Sequence, residues 1–202
     1  MYRTKEEKIE DRDGAIMIIR ERLIKHHSII DTETTGSDKY YDEMCQYARL
    51  DSDGYSFKSF IKPTIHISEE ASRVNNIFDK TVENAPTALD IIGEIPCATI
   101  VFVYNADFDI NIIRNSVRAR GSNIIHNFEN HNEFVDVMWV YSSFVGYWNE
   151  ECNRFGKISL EDACKNCNIE TNDITFHDAM CDCILTERLM KFIASQKLST
   201  EL

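Results

Sequence analysis

Residues 28–38 read SIIDTETTGSD, and the fold turns on how this stretch is read. Ile29 and Ile30 lead into Asp31, Thr32 and Glu33, and the run stops at Gly36. A short apolar run that ends in polar residues and a glycine is a buried strand reaching its end. Residues two apart on a strand point to the same face, so Asp31 and Glu33 project together. The pair is either a polar exit into solvent or two carboxylates held side by side for chemistry. Open α/β sheets place their ligands at the C-terminal ends of strands.

Working outward, residues 4–25 carry Ile16, Ile19, Leu23 and Ile24 at mostly helical spacing, with Gly14 a candidate break. Residues 27–32 form the first strand. Glu43–Leu50 and Tyr55–Ile61 are two more, joined by the hairpin signal Asp53-Gly54 and stopped by Lys62-Pro63. Ser68–Asn76 is a serine-capped helix, and Thr87–Ile95 a second, entered after Pro86. An apolar strand, Ala98–Tyr104, precedes a helix over Asp107–Arg120 that Gly121 closes. Phe134–Val137 is a short strand leading into a helix over Met138–Val145. Helices over Leu160–Cys167, capped by Ser159, and Ala179–Ser195 complete the chain. Tyr147–Lys157 reads as a polar loop able to move over a site. Three meander strands followed by strands alternating with helices predict an α/β domain with a mixed sheet.

Composition sets limits on function. The chain has 202 residues, 43% hydrophobic and 28% charged, which fits one globular domain. Its apolar runs are too short to cross a bilayer, and its charged N-terminus has no signal-peptide core; the expected location is the cytoplasm, with no membrane partner. Seven cysteines without an export signal are expected to be reduced. Cys164 with Cys167 and Cys181 with Cys183 have the spacing of zinc ligands. They sit in helix-like sequence without the turns of a zinc knuckle, which favours small core residues. A net charge of −12 argues against tight non-specific binding to nucleic acid. Clustered acids can nevertheless recruit cations that then face phosphates.

Two further stretches carry acids. VYNADFDINII spans residues 103–113. The dipole of a helix favours acids in its first turn, and Asp107 as the cap would leave Asp109 free to point towards Asp31. FHDAMCDCILTERL spans residues 176–189. His177 and Asp182 are about 140° apart on a continuous helix and cannot share a face. If His177 lies in the preceding loop and Asp178 caps the helix, His177 can swing over Asp182. The rival reading pairs Asp178 with Asp182 at i, i+4.

DTETTG, YNADFD and HDAMCD, in this order and at these separations, resemble the three motifs of the DEDDh (DnaQ-like) family of 3′–5′ exonucleases. The resemblance covers roughly residues 26–195 and includes ASRVNNIFDKTVENAP and FVDVMWV. It implies a ribonuclease H-like mixed five-stranded sheet flanked by helices, an exonuclease domain over residues 26–197, and an N-terminal helical extension over residues 1–25. It makes Asp31, Glu33, Asp109 and Asp182 ligands of two Mg²⁺ or Mn²⁺ ions and His177 the general base. Thr34, Thr35, Asn105 and Phe108 become candidate contacts to the 3′-terminal nucleotide; core packing is the competing role for Phe108. Many relatives have His-Asn where this chain has Tyr104-Asn105, which bears on a substrate contact rather than on the metal site.

The implied substrate is the 3′ end of single-stranded DNA, in proofreading, repair or DNA degradation, with a polymerase or repair protein as a possible partner. Two alternatives stand beside it: an exoribonuclease for small or structured RNA, and a non-catalytic polymerase-binding module. Arg114 and Arg118 share a helical face and, with Arg120, either guide phosphates or are simply solvated.

Overall fold

A computed structural model describes residues 3–97, 99–123 and 126–201. Helix α1 (Lys5–Leu23) starts at a capping box in which Thr4 and Glu7 each accept the other's backbone N–H. Gly14 does not break it. The helix continues because Ala15, Ile16 and Ile19 on one face are buried against the rest of the protein.

β1 (His27–Thr34), β2 (Met44–Asp51) and β3 (Ser56–Phe60) form the expected antiparallel meander. Gly54, at φ +92, makes the turn between the last two. α2 (Glu69–Asn75) begins at Ser68, whose hydroxyl accepts the Ala71 N–H, and α3 (Asp79–Val82) follows. The helix expected over Thr87–Ile95 is not there; this segment is a set of turns with one 3-10 turn at Ile92–Glu94. The Asp90 carboxylate takes both the Thr87 N–H and hydroxyl, and Gly93 and Pro96 disfavour helical continuation. Ala88, Ile91 and Ile95 are still buried under the sheet, so the apolar pattern serves packing without a helix.

β4 (Ile100–Val103) is shorter than its apolar run, of which Ala98 lies outside the described residues. α4 (Ala106–Arg118) and a further short helix, α5 (His126–His131), lead to β5 (Glu133–Asp136). α6 (Val137–Phe144) starts directly at the strand end. The segment read as a mobile loop instead contains a small hairpin, β6 (Trp148–Asn149) with β7 (Arg154–Phe155). Trp148 and Phe155 stack edge to face at 5.1 Å, and the Arg3 guanidinium lies 4.3 Å from the Trp148 ring centre. α7 (Leu160–Asn166) and α8 (Ala179–Ser195) complete the chain.

The main sheet has the order β3-β2-β1-β4-β5, with β4 and β5 parallel to β1. It is the mixed five-stranded, ribonuclease H-like α/β architecture. Strand alternation sorts the core. Ile29, Ala48 and Phe102 face α1, α6 and α8, meeting Ile16, Tyr141, Cys183 and Leu189. Ile30, Tyr47, Val101 and Val103 face α4, meeting Ile112, Ile113 and Val117. The four cysteines with zinc-like spacing do not converge among the described residues. Cys164 and Cys183 are buried instead, with the Cys183 thiol against the Ile29 carbonyl. No helix among the described residues is long and apolar enough to cross a membrane.

Candidate active site

The alternation that sorts the core also aims the acids. Asp31 and Glu33 continue the Ile29 face towards α8, and Thr32 continues the Ile30 face towards α4. β1 runs past the end of its parallel pairing with β4, which stops at Ile30 opposite Val103. The acids therefore stand beyond the neighbouring strand, and a bulge between Glu33 and Thr34 re-aims the chain there.

Asp109 arrives from the first turn of α4. Its Oδ1 accepts the Thr32 N–H at 3.0 Å and the Thr32 hydroxyl at 2.7 Å. That helix is positioned by the aspartate of the FVDVMWV stretch. Asp136, at the end of β5, accepts the Ala106 N–H at 2.9 Å and the Met138 N–H at 3.0 Å, so one carboxylate caps both α4 and α6. Asp107 is not the cap; it pairs with Lys39 instead. Asn105 enters α4 at φ +71, a conformation asparagine tolerates better than most residues.

Asp182 sits in the first turn of α8, with Asp178 as its cap, accepting the Cys181 N–H. Asp178 is also taken by Lys58 at 2.7 Å, which leaves Asp182 rather than Asp178 facing the acids. Gln46, on β2 opposite Glu33, accepts the Ala179 N–H at 2.8 Å and so ties the start of α8 to the sheet. His177 precedes the cap at φ +62 and is exposed, folding back over the cleft.

Asp31, Glu33, Asp109, His177 and Asp182 all line one cleft of about 500 Å³, with Thr34, Asn105 and Phe108. Glu33, His177 and Asp182 come closest, each offering a ligand atom within 4.8 Å of the others. Thr35 does not open on the cleft. It is 1% exposed, and its hydroxyl bridges the Asp42 carboxylate and the Glu43 N–H, clamping the loop behind Gly36. Lys157 lines the cleft as well, next to Ile158, whose carbonyl accepts the Tyr104 phenol at 2.8 Å. Tyr104, the departure from the His-Asn pattern, thus holds the far wall in place.

Arg120 is used internally, on the Lys62 carbonyl, and Arg114 bonds Asn111. Arg20 donates to the Ala194 and Gln196 carbonyls at the end of α8.

Electrostatically the cleft is unfavourable to its own charges. Burial, followed by the charges of Asp109, Asp182 and Glu33, pushes the Asp31 carboxyl well above the usual range. Burial and then Asp182 raise Glu33 to about 8. Burial raises Asp109 to about 7 against the two Thr32 hydrogen bonds, and Asp182 to about 7 against the His177 main-chain N–H. Asp182 Oδ1 is buried with no hydrogen-bond partner. A buried, unsatisfied carboxylate oxygen beside three other carboxyls is a donor set that suits a hard divalent cation.

Residues 28–190 match the RNase T exonuclease family. The chain is 26% identical to a PolC-type DNA polymerase III of Ureaplasma parvum serovar 3, over 95% of its own length and 13% of the polymerase. It is 37% identical over 100 residues to the uncharacterized exonuclease CP81 of Escherichia phage 186, covering 46% of this chain and 49% of that one. The fold superposes on Escherichia coli exonuclease I in its zinc-bound complex with single-stranded DNA, with a TM-score of 0.67 and 21% identity, over 84% of this chain and 40% of that one. The complex of that enzyme with a dT13 oligonucleotide gives 0.69 at 20% identity. The chain thus spans half or less of the length of these relatives. With the family match running from β1 to α8, the chain belongs to the RNase T family of DnaQ-like exonucleases.

Proposed function

We propose that the chain is a metal-dependent 3′–5′ exonuclease that removes nucleotides from the 3′ end of single-stranded DNA. The observation that carries this reading is the convergence of Asp31, Glu33, Asp109, His177 and Asp182 on one cleft, where Asp182 Oδ1 lacks a partner. Asp31, Glu33, Asp109 and Asp182 would hold two Mg²⁺ or Mn²⁺ ions. When bound, the ions supply Lewis-acid stabilisation of the phosphate charge and of the leaving 3′ oxygen.

The protein's own residues do the rest. His177, at the cleft mouth, accepts the proton of the attacking water. Thr32 fixes Asp109, Asp136 fixes α4, and Gln46 fixes α8, so the carboxylates are set before substrate arrives. Phe108 and Asn105 are placed to contact the terminal nucleotide, and Thr34 borders it. Hydrolysis releases a nucleoside 5′-monophosphate and leaves a new 3′ hydroxyl. Residues 26–197 carry the exonuclease motifs in this reading, with α1 packed into their core, and the protein works in the cytoplasm. The PolC-type relative supports a polymerase as the partner class.

The test is degradation of 3′- and 5′-labelled single-stranded DNA and RNA oligonucleotides with and without Mg²⁺ or Mn²⁺, using wild type and Asp31→Ala. Metal-dependent shortening from the 3′ end of DNA, lost in the variant, is expected. Faster turnover of RNA would move the assignment to an exoribonuclease. Inactivity on every substrate would leave a binding module.

A further inference from the structure

Beside the acid cleft lies a second cavity of about 480 Å³, sharing Glu33, Thr34 and Phe108 with it and bounded by Gly36, Asp42 and Val74. The loop at its edge, residues 37–42, reads SDKYYD and carries two large rings in solvent. Tyr40 is 76% exposed and Tyr41 68%. Contiguous exposed aromatic surface is a feature of interaction sites.

The loop that presents them is held rigidly. Asp42 accepts the Thr35 hydroxyl at 2.7 Å and the Asp38 N–H at 2.8 Å. The Asn115 amide donates to the Lys39 and Asp42 carbonyls, each at 3.0 Å, which ties the loop to α4. The Tyr40 N–H donates to the Asp38 carboxylate at 2.9 Å, and the Tyr41 N–H to the Asp38 carbonyl at 3.0 Å. The Lys39 ammonium lies 4.9 Å from the Tyr40 ring centre and is itself paired with Asp107, the residue next to Phe108. Lys39 therefore attends to one face of Tyr40, while the ring as a whole stays open to solvent. The Lys39–Asp107 pair joins this loop to the first turn of α4, which also carries Phe108.

The surroundings decide what could lie there. Asp38, Asp42, Glu70 and Asp107 make this rim acidic, and Lys39 is already paired. Binding through backbone phosphates is disfavoured at such a rim. Base stacking on aromatic rings tolerates any sequence, and it is the contact that these two exposed rings can offer a strand.

We propose that Tyr40 and Tyr41 form a stacking platform for unpaired bases of the nucleic-acid strand whose 3′ end lies in the acid cleft. The proposal rests on the exonuclease reading for the position of that end. It names single-stranded nucleic acid as the ligand and applies to either sugar. The platform requires bases released from a duplex, so it also makes the enzyme selective for single strands.

Binding of 5′-labelled oligothymidine and oligouridine, as dodecamers and as dinucleotides, is measured by fluorescence anisotropy with Ca²⁺ in place of Mg²⁺. Wild type is expected to prefer the dodecamer of at least one sugar. The double variant Tyr40→Ala/Tyr41→Ala should lose about tenfold or more of that preference, since each stacked base is worth roughly that much. Tyr40→Phe/Tyr41→Phe should retain it, as should Tyr55→Ala, an exposed tyrosine at the far edge of the sheet. A melting curve for each variant establishes that it is folded. An unchanged length preference in the folded double variant, or none in wild type, overturns the platform. Tyrosine-dependent binding without metal-dependent turnover by wild type would keep the platform and overturn the exonuclease reading.

Discussion

At the residue scale, Asp182 shows why chemistry and stability oppose each other in this cleft. Its Oδ1 is buried without a partner, and burial raises its carboxyl to about 7. Asp182→Asn removes a charge from a crowded site. The expected outcome is a higher melting temperature than wild type in chelator at pH 8, together with a loss of activity of about a hundredfold or more. Calorimetry and an oligonucleotide assay read the two effects separately. Gly36 makes the opposite point. A Cβ there would lie 2.5 Å from the Asp42 carboxylate, the group that clamps the loop. Gly36→Ala should cost about 1–3 kcal/mol of stability, measured by denaturant unfolding, because the clamp or the loop must give way. The Asp31–Glu33 pair was legible in the sequence, because period-two alternation needs no tertiary knowledge. Thr35, a candidate contact by resemblance, has its hydroxyl committed to Asp42 and the Glu43 N–H, a use that the sequence does not signal.

At the element scale, the cleft depends on how helices are attached to strand ends. Asp136 accepts N–H groups from the starts of both α4 and α6. Asp136→Ala should cost about 2 kcal/mol or more, at roughly 1 kcal/mol per lost cap, and lower the melting temperature by roughly 4–8 °C. Activity should fall further than stability explains, since Asp109 rides on α4. Tyr104→Phe removes only the hydrogen bond to the Ile158 carbonyl. It should cost about 1 kcal/mol and raise KM more than it lowers kcat, read in steady-state kinetics, because the far wall of the cleft loosens while the acids stay in place. The helix and strand signals were mostly legible, through serine caps, apolar spacing and closing glycines. The expected helix over Thr87–Ile95 gave way to Thr87–Asp90 side-chain bonding. The Trp148–Phe155 hairpin was missed because its stability comes from a ring pair and from Arg3 at the other end of the sequence.

At the scale of the whole molecule, α1 and the acid cleft each govern stability in a measurable way. α1 places Ala15, Ile16 and Ile19 in the same core as β1, α6 and α8, and Arg20 closes the end of α8. Deleting residues 1–25 should therefore abolish cooperative melting followed by circular dichroism, rather than trim a dispensable extension. The raised carboxyls set a pH dependence. Glu33 at about 8, and Asp109 and Asp182 at about 7, hold protons in the folded state that the unfolded chain releases near its ordinary values. The folded state thus binds more protons through the window from about 4 to 8, and stability falls as pH rises across it. In chelator the melting temperature should be lower at pH 8 than at pH 6, and added Mg²⁺ should raise it more at pH 8. The sequence by itself determined the strand order of the meander, the same-face acids and the three motifs, because these follow from local periodicity and spacing. Only the tertiary structure decided that Asp136 caps two helices, that Gln46 anchors α8, that Tyr104 holds the far wall, and that five residues from three distant segments share one cleft. Those facts depend on which side-chain atoms meet across the sheet, and a local sequence pattern does not encode such meetings.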